Sequence, residues 1–166
     1  MIDGLTNDDL IQAGITECPD PHLPGYFDYS PWWEVLTSDA TFISTLTELE
    51  PGDEVNVTMG QFTGTCRSIT VTDETRGQSF TTDQEYTGPA ASAEWIVEAP
   101  MSGSGEVPLS NYTETEFSGL GVTGQQNVLE PLQMDDPVDG PQWSTPSSMD
   151  SVGFNVQDLE TAPNPP

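Results

Sequence analysis

Lysine is absent from this chain, and arginine occurs only at Arg67 and Arg76, against 28 acidic residues. The resulting formal charge of -26 at pH 7 argues against nucleic acid and anionic membrane as partners. Both are held by Lys and Arg clusters, which do not exist here. Long apolar runs are missing too. No stretch approaches the roughly 18 apolar residues of a membrane span. Residues 1–20 hold neither a basic n-region nor an apolar h-region, so no signal peptide is visible. Histidine occurs once, at His22 in a proline-rich stretch. With no clustered Cys/His/Asp pattern and no G-x-S-x-G, both a zinc site and a Ser-His nucleophile are disfavoured. There is no phosphate loop, and "DPVDG" and "LTNDD" lack the full spacing of a calcium loop. No metal or cofactor is expected. Two cysteines, Cys18 and Cys66, permit one disulfide and do not require it.

What is present fits one domain: 166 residues can build a sizeable core. The hydrophobic fraction is low, at 34%, and low hydrophobicity with high charge is the signature of disorder. Four Trp, four Tyr and six Phe, placed mostly in alternating segments, argue instead for a packed core. The acidity has two readings that composition cannot separate. One is a high-salt surface kept soluble by carboxylates. The other is a protein that works in acid, where carboxylates take up protons and each Lys or Arg is an uncompensated positive charge.

The patterning is all-β. "EVNVTM" alternates Val55, Val57 and Met59 with polar residues and follows the turn Pro51–Asp53. "RSITVTD" alternates Ile69 and Val71 with Ser and Thr, turns at "DETRG" and returns through "QSFTT", a hairpin over about residues 65–82. "YSPWWEVL", "AEWIVEA", "TETEFSG" and "VGFNVQD" are further strands. Only "NDDLIQAG" reads as helical, with Asn7 as its cap. Cys18–Pro31 reads as a Pro- and Asp-rich loop, and Pro31 predicts an edge or bulge in its strand. Short strands with regular turns predict a sandwich or barrel over residues 1–158, with a disordered tail at 159–166.

Two strands carry acids inside apolar runs. On a strand, alternate residues share a face. Glu94, Ile96 and Glu98 therefore point one way, and Ala93, Trp95 and Val97 the other. Trp32 and Glu34 share one face of the aromatic strand, with Trp33 and Val35 on the other. Such faces either meet water or line a substrate cleft, where a carboxylate can act as general base toward a bound water. Paired carboxylates of the glycosidase kind are compatible with the same pattern.

"SAEWIVEAP" resembles the signature of the glutamic peptidases called eqolisins, acid-acting secreted endopeptidases. In that family a Glu in A-E-W-I-x-E partners a Gln that follows a D-G pair. Here "DGLTNDDLIQAG" supplies Asp3, Gly4, Gln12 and Gly14 in order. The family's aromatic strand corresponds to "YSPWWE", its P-G-D turn to Pro51–Asp53, and its later strand to "PLSNYTETEF". The resemblance implies a concanavalin-like sandwich of two curved antiparallel sheets, with the site on the concave face. It implies Glu94 as general base and Gln12 as oxyanion stabiliser, with Trp32 and Glu34 lining the cleft. Glu98, about 13 Å from Glu94 along a regular strand, is expected at the cleft or its rim. The implied partners are polypeptide substrates, cleaved by a secreted monomer. Family members usually open with a W-x-G strand ahead of D-G, so that strand is expected to be missing here. The alternative is a non-catalytic concanavalin-like domain that binds peptide or glycan.

Overall fold

The structure, a computed structural model, describes residues 1–5, 7–19, 22, 26–98, 101–102, 105–106, 114–123, 144–147 and 153–158. Every regular element among them is a β-strand. The chain divides into two compact units, Met1–Glu94 and Trp95–Pro166.

The first unit is itself a two-layer sandwich. One sheet has the order β1 (Ile11–Pro19), β2 (Phe27–Val35), β3 (Thr41–Phe42), all antiparallel. The other is the meander β4 (Val55–Thr63), β5 (Cys66–Asp73), β6 (Gln78–Glu85). Alternation decides which face goes inward. Ile11 on the first sheet and Ile69 and Val71 on the second are buried with Ile43, Leu46 and Tyr86. Ile2, Ala13, Trp33, Val35, Val55 and Phe80 pack around them. Burying each of Ile69 and Val71 stabilises the fold by about 1.5–3 kcal/mol. The β-branched residues between them face outward and pair by hydroxyl, Thr70 with Thr81 and Thr72 with Ser79, both at 3.0 Å.

The hairpin turn expected at "DETRG" lies between β5 and β6, where Asp73 accepts from the Arg76 amide at 2.9 Å and Gly77 takes φ 68°. A Cβ is disfavoured at that φ, so glycine fits. The Pro51–Asp53 turn lies beside it. The Arg76 guanidinium binds Asp53, Asp73 and Glu50, tying the two turns together.

Four expectations change. Residues 11–14 are the start of β1, not a helix. The capping chemistry of Asn7 is real, but it closes a turn: its Oδ1 accepts from the Asp9 amide at 2.9 Å. Much of the expected Cys18–Pro31 loop is strand, because β1 runs to Pro19 and β2 begins at Phe27, with Pro19 opposite Phe27. Pro31 sits inside β2, in the middle of its sheet, opposite Ile15. Its carbonyl accepts from Ile43 N at 2.8 Å, so its backbone polar side faces the end of β3. The missing N–H therefore removes no β1–β2 ladder bond. Finally, "AEWIVEA" is not a regular strand: within residues 93–98, only Ala93 makes a β-bridge. Cys18 and Cys66 are unpaired thiols.

In the second unit, β7 (Met101–Ser102) pairs with β8 (Gly105–Glu106). A separate sheet has the order β10 (Ser144–Pro146), β11 (Phe154–Asp158), β9 (Glu114–Phe117). The register partners Phe117 and Phe154 stack at 5.0 Å. The tail at 159–166 lies outside the described residues.

Candidate active site

The first three residues of the chain organise the site. Ile2 bridges Ile11 on one side and Ala93 on the other, both antiparallel. Met1 and Glu94 exchange two bonds: the Met1 nitrogen donates to Glu94 O at 2.7 Å and the Glu94 amide donates to Met1 O at 3.1 Å. Asp3 N donates to Ser92 O at 3.1 Å. Residues 1–3 are thus a bridging segment between β1 and the segment 92–94, with Ile2 as the bridge residue on both sides.

Register then fixes faces. The bridge Ile2–Ile11 sets Met1 opposite Gln12, and Gln12 pairs with Glu34. Glu94, Met1, Gln12 and Glu34 form one row across four neighbouring strand segments, and residues in one row share a face. Two positions along β2, Gly14, Trp32 and Phe42 form the next row on that face. The alternate rows, Ile2 with Ile11 and Val35 on one side and Ala13 with Trp33 on the other, point into the core. At the usual strand spacing, the Glu94 and Gln12 backbones stand about 10 Å apart, with Met1 between them in the row.

Within the row the polar groups are unevenly satisfied. Gln12, 9% exposed, donates from Nε2 to Glu34 Oε2 at 2.6 Å. A carboxylate only accepts, so this contact assigns the amide orientation and leaves a second Nε2 hydrogen and the carbonyl oxygen available. Both Glu94 carboxylate oxygens are buried and have no hydrogen-bond partner among the described residues. Trp32 Nε1 is in the same state. Its ring lies over Gly14, where a Cβ would stand 3.5 Å from Trp32 Cζ2. Phe42, in register with Trp32, is 62% exposed. Buried polar groups are nearly always paired in folded proteins. An unpaired carboxylate on the row that carries an oriented amide is arranged to receive a water or a substrate group.

Glu98 is exposed and belongs to the second unit, and no regular strand runs through residues 94–98. Among the described residues no group of three or more His, Cys, Asp or Glu is placed to hold a metal ion.

One residue of the D-G pair has a role that the motif alone did not reveal. Asp3 is fully buried, with φ 61°. It accepts from Tyr86 Oη at 2.5 Å, Ala91 N at 2.6 Å, Ala90 N at 2.7 Å and Asn7 Nδ2 at 3.2 Å. Burial pushes its pKa up, but the donated hydrogen bonds outweigh burial and hold the carboxyl below its ordinary range. Burial and the bond to Asp3 push the Tyr86 hydroxyl up. A buried Asp ringed by alanine amides leaves little periodic signal. The only hint in the sequence was Asp3-Gly4 itself.

The model of the Peptidase A4 family matches residues 1–149. No curated protein sequence matches the chain. Among solved structures, the aspergilloglutamic peptidase from Aspergillus niger is similar, with 25% identity and a TM-score of 0.79 over 95% of each chain. The all-β, concanavalin-like sandwich expected from the sequence is borne out by this likeness.

Proposed function

The chain belongs to the Peptidase A4 family and is a glutamic-type peptidase; from that premise we propose that Glu94 and Gln12 are its catalytic dyad, acting on polypeptides in acid. The observation that carries this reading is the row Glu94–Met1–Gln12–Glu34, with an unpaired buried carboxylate at one end and an oriented amide two segments away.

In this mechanism Glu94 takes a proton from water as the water oxygen attacks the scissile carbonyl carbon. The carbonyl π electrons move to oxygen, and the second Nε2–H of Gln12 donates to that oxyanion. Collapse of the tetrahedral intermediate breaks the C–N bond, and Glu94 returns its proton to the departing amine. An amide donates at any pH, so nothing in the dyad depends on a titrating histidine. Glu34 holds the Gln12 amide in place, and Trp32 offers its unpaired Nε1–H and ring face to the substrate backbone and side chains. Glu98 is assigned to substrate binding on the resemblance alone. The same resemblance supports a secreted enzyme that works as a monomer.

The test is digestion of an unfolded protein substrate across about pH 2–7, the range of carboxylate titration, by wild type, Glu94→Gln and Gln12→Ala. Loss of cleavage in both variants is expected. Full activity in either one refutes the dyad.

A further inference from the structure

We propose that Asp3 is a positioning residue for Glu94: its buried carboxylate gathers the loop ahead of Glu94 and so sets where the Glu94 side chain stands. This rests on the reading of Glu94 as general base.

Among the described residues no hydrogen bond locates the Glu94 carboxylate directly. Its place is set by its backbone, which hangs from residues 1–3 through the paired bonds with Met1 and the Asp3–Ser92 bond. Asp3 adds the side-chain half of that anchorage. Its Oδ1 and Oδ2 take the amides of Ala91 and Ala90, three and four residues upstream of Glu94. Ala90 is held at φ 52°, a region that a non-glycine residue occupies only when its surroundings demand it. Tyr86 closes the other end of the loop by donating to Asp3 Oδ2. Between them lies Gly88, where a Cβ would collide with the Tyr86 hydroxyl oxygen and stand 2.9 Å from Asp3 Oδ2. The segment from Tyr86 to Ala91 is thus shaped around one carboxylate.

The charge environment suits an enzyme working in acid. The groups facing the carboxylate are Tyr86, Asn7 and the two amides. Asp9 and Arg67 act on Tyr86, with the Arg67 guanidinium 6.0 Å from the ring centre. The folded-state pKa of Asp3 is lowered from 3.8. A depressed pKa gives stability that is present above the unfolded value and lost as pH falls through the folded one. The loop therefore stays fastened through the mildly acidic range and loosens only in stronger acid.

The experiment measures kcat and KM on a quenched fluorescent peptide for wild type, Asp3→Asn, Tyr86→Phe and Glu94→Gln, with circular dichroism at each pH. Asn keeps the shape of Asp but turns an N–H donor toward one of the donors that Asp3 now accepts from. Asp3→Asn is expected to fold, to lose about 10-fold in kcat and to keep KM within about twofold, the mark of a displaced catalytic group. The wild-type advantage should hold through the ordinary carboxylate value of 3.8 and shrink only in stronger acid, as Asp3 of the wild type takes up its own proton. Tyr86→Phe should move kcat the same way by less, and it decides the question if Asp3→Asn does not fold. A folded Asp3→Asn or Tyr86→Phe with wild-type kcat, or a loss carried wholly by KM, overturns the inference. An inactive Glu94→Gln beside an unaffected Asp3→Asn sinks the positioning role alone. An active Glu94→Gln removes the general-base reading, and this inference with it.

Discussion

Asp3 and Glu94 sit on paired neighbouring segments, and their carboxylates have opposite surroundings. Asp3 is wrapped by four donors; among the described residues Glu94 has none. Both lie out of solvent contact at the oxygen atoms that matter. A buried carboxylate with a full set of donors is part of the architecture, because removing it strands those donors. A buried carboxylate with no donors costs free energy in the resting protein and is retained for what it does to something else. Substitutions at the two acids should therefore dissociate stability from activity.

The largest effect is expected at Glu94. Glu94→Gln should lower kcat by about 10³–10⁴-fold, the upper range of a positioned proton carrier. It should leave the melting temperature unchanged or raise it, since it removes an unpaired buried charge. Kinetics and calorimetry on one preparation check both halves. A Glu94→Gln protein that loses stability in step with activity erases the contrast with Asp3.

Gln12 comes next. Gln12→Ala should cost about 10²–10³-fold in kcat, as for loss of one oxyanion donor, and should also release Glu34 from its 2.6 Å contact. Single-turnover assays distinguish this from weaker substrate binding. A change in KM alone would make Gln12 a binding residue.

How much of this was legible beforehand depends on the reach of each interaction. Alternation is local, so the hairpin around Ile69 and Val71, β2 with Trp32 and Glu34 on one side, and β9 and β11 were all readable from residue spacing. Helix and strand compete over short apolar runs, and "NDDLIQAG" was decided by pairing. Ile11 hydrogen-bonds Ile2 and stands in register with Val35, and no window of a dozen residues contains both partners. The same limit hid the bridging segment at residues 1–3, which alone puts Glu94 and Gln12 in one row. It also hid the fact that pairing stops short of Glu98, so a periodicity that looked regular on paper acts on no strand there. The resemblance named the proposed dyad, Glu94 and Gln12, and register across residues 1–3 places both in one row.

At Asp3 the contrast is read in stability. Asp3→Ala should destabilise the fold by about 2 kcal/mol, because two amides and a hydroxyl lose a buried acceptor. Urea denaturation at neutral pH checks this. The loss should narrow in strong acid, below the depressed pKa of the wild-type carboxyl. If the penalty stays constant down to the lowest pH at which the protein folds, ionisation of Asp3 is not what holds the loop.

The smallest effect is expected at the Arg76 clamp, the third place where carboxylates gather. Here three acids share one guanidinium, and the site is remote in sequence from Glu94. The backbone bond from Glu50 first, and Arg76 after it, hold the Asp53 pKa below its ordinary value. The sign matches that of Asp3: the contribution is present above the ordinary value of 3.8 and lost as pH falls through the lower folded value. Exposure weakens it, since partly solvated ion pairs are screened and contribute little. Arg76→Gln should lower the melting temperature slightly at neutral pH, less at high salt, and leave kcat intact. Thermal scans in low and high salt separate this clamp from the Asp3 loop, whose buried bonds are insensitive to screening. A salt-insensitive loss at Arg76 would show that its packing between the two turns matters more than its charge.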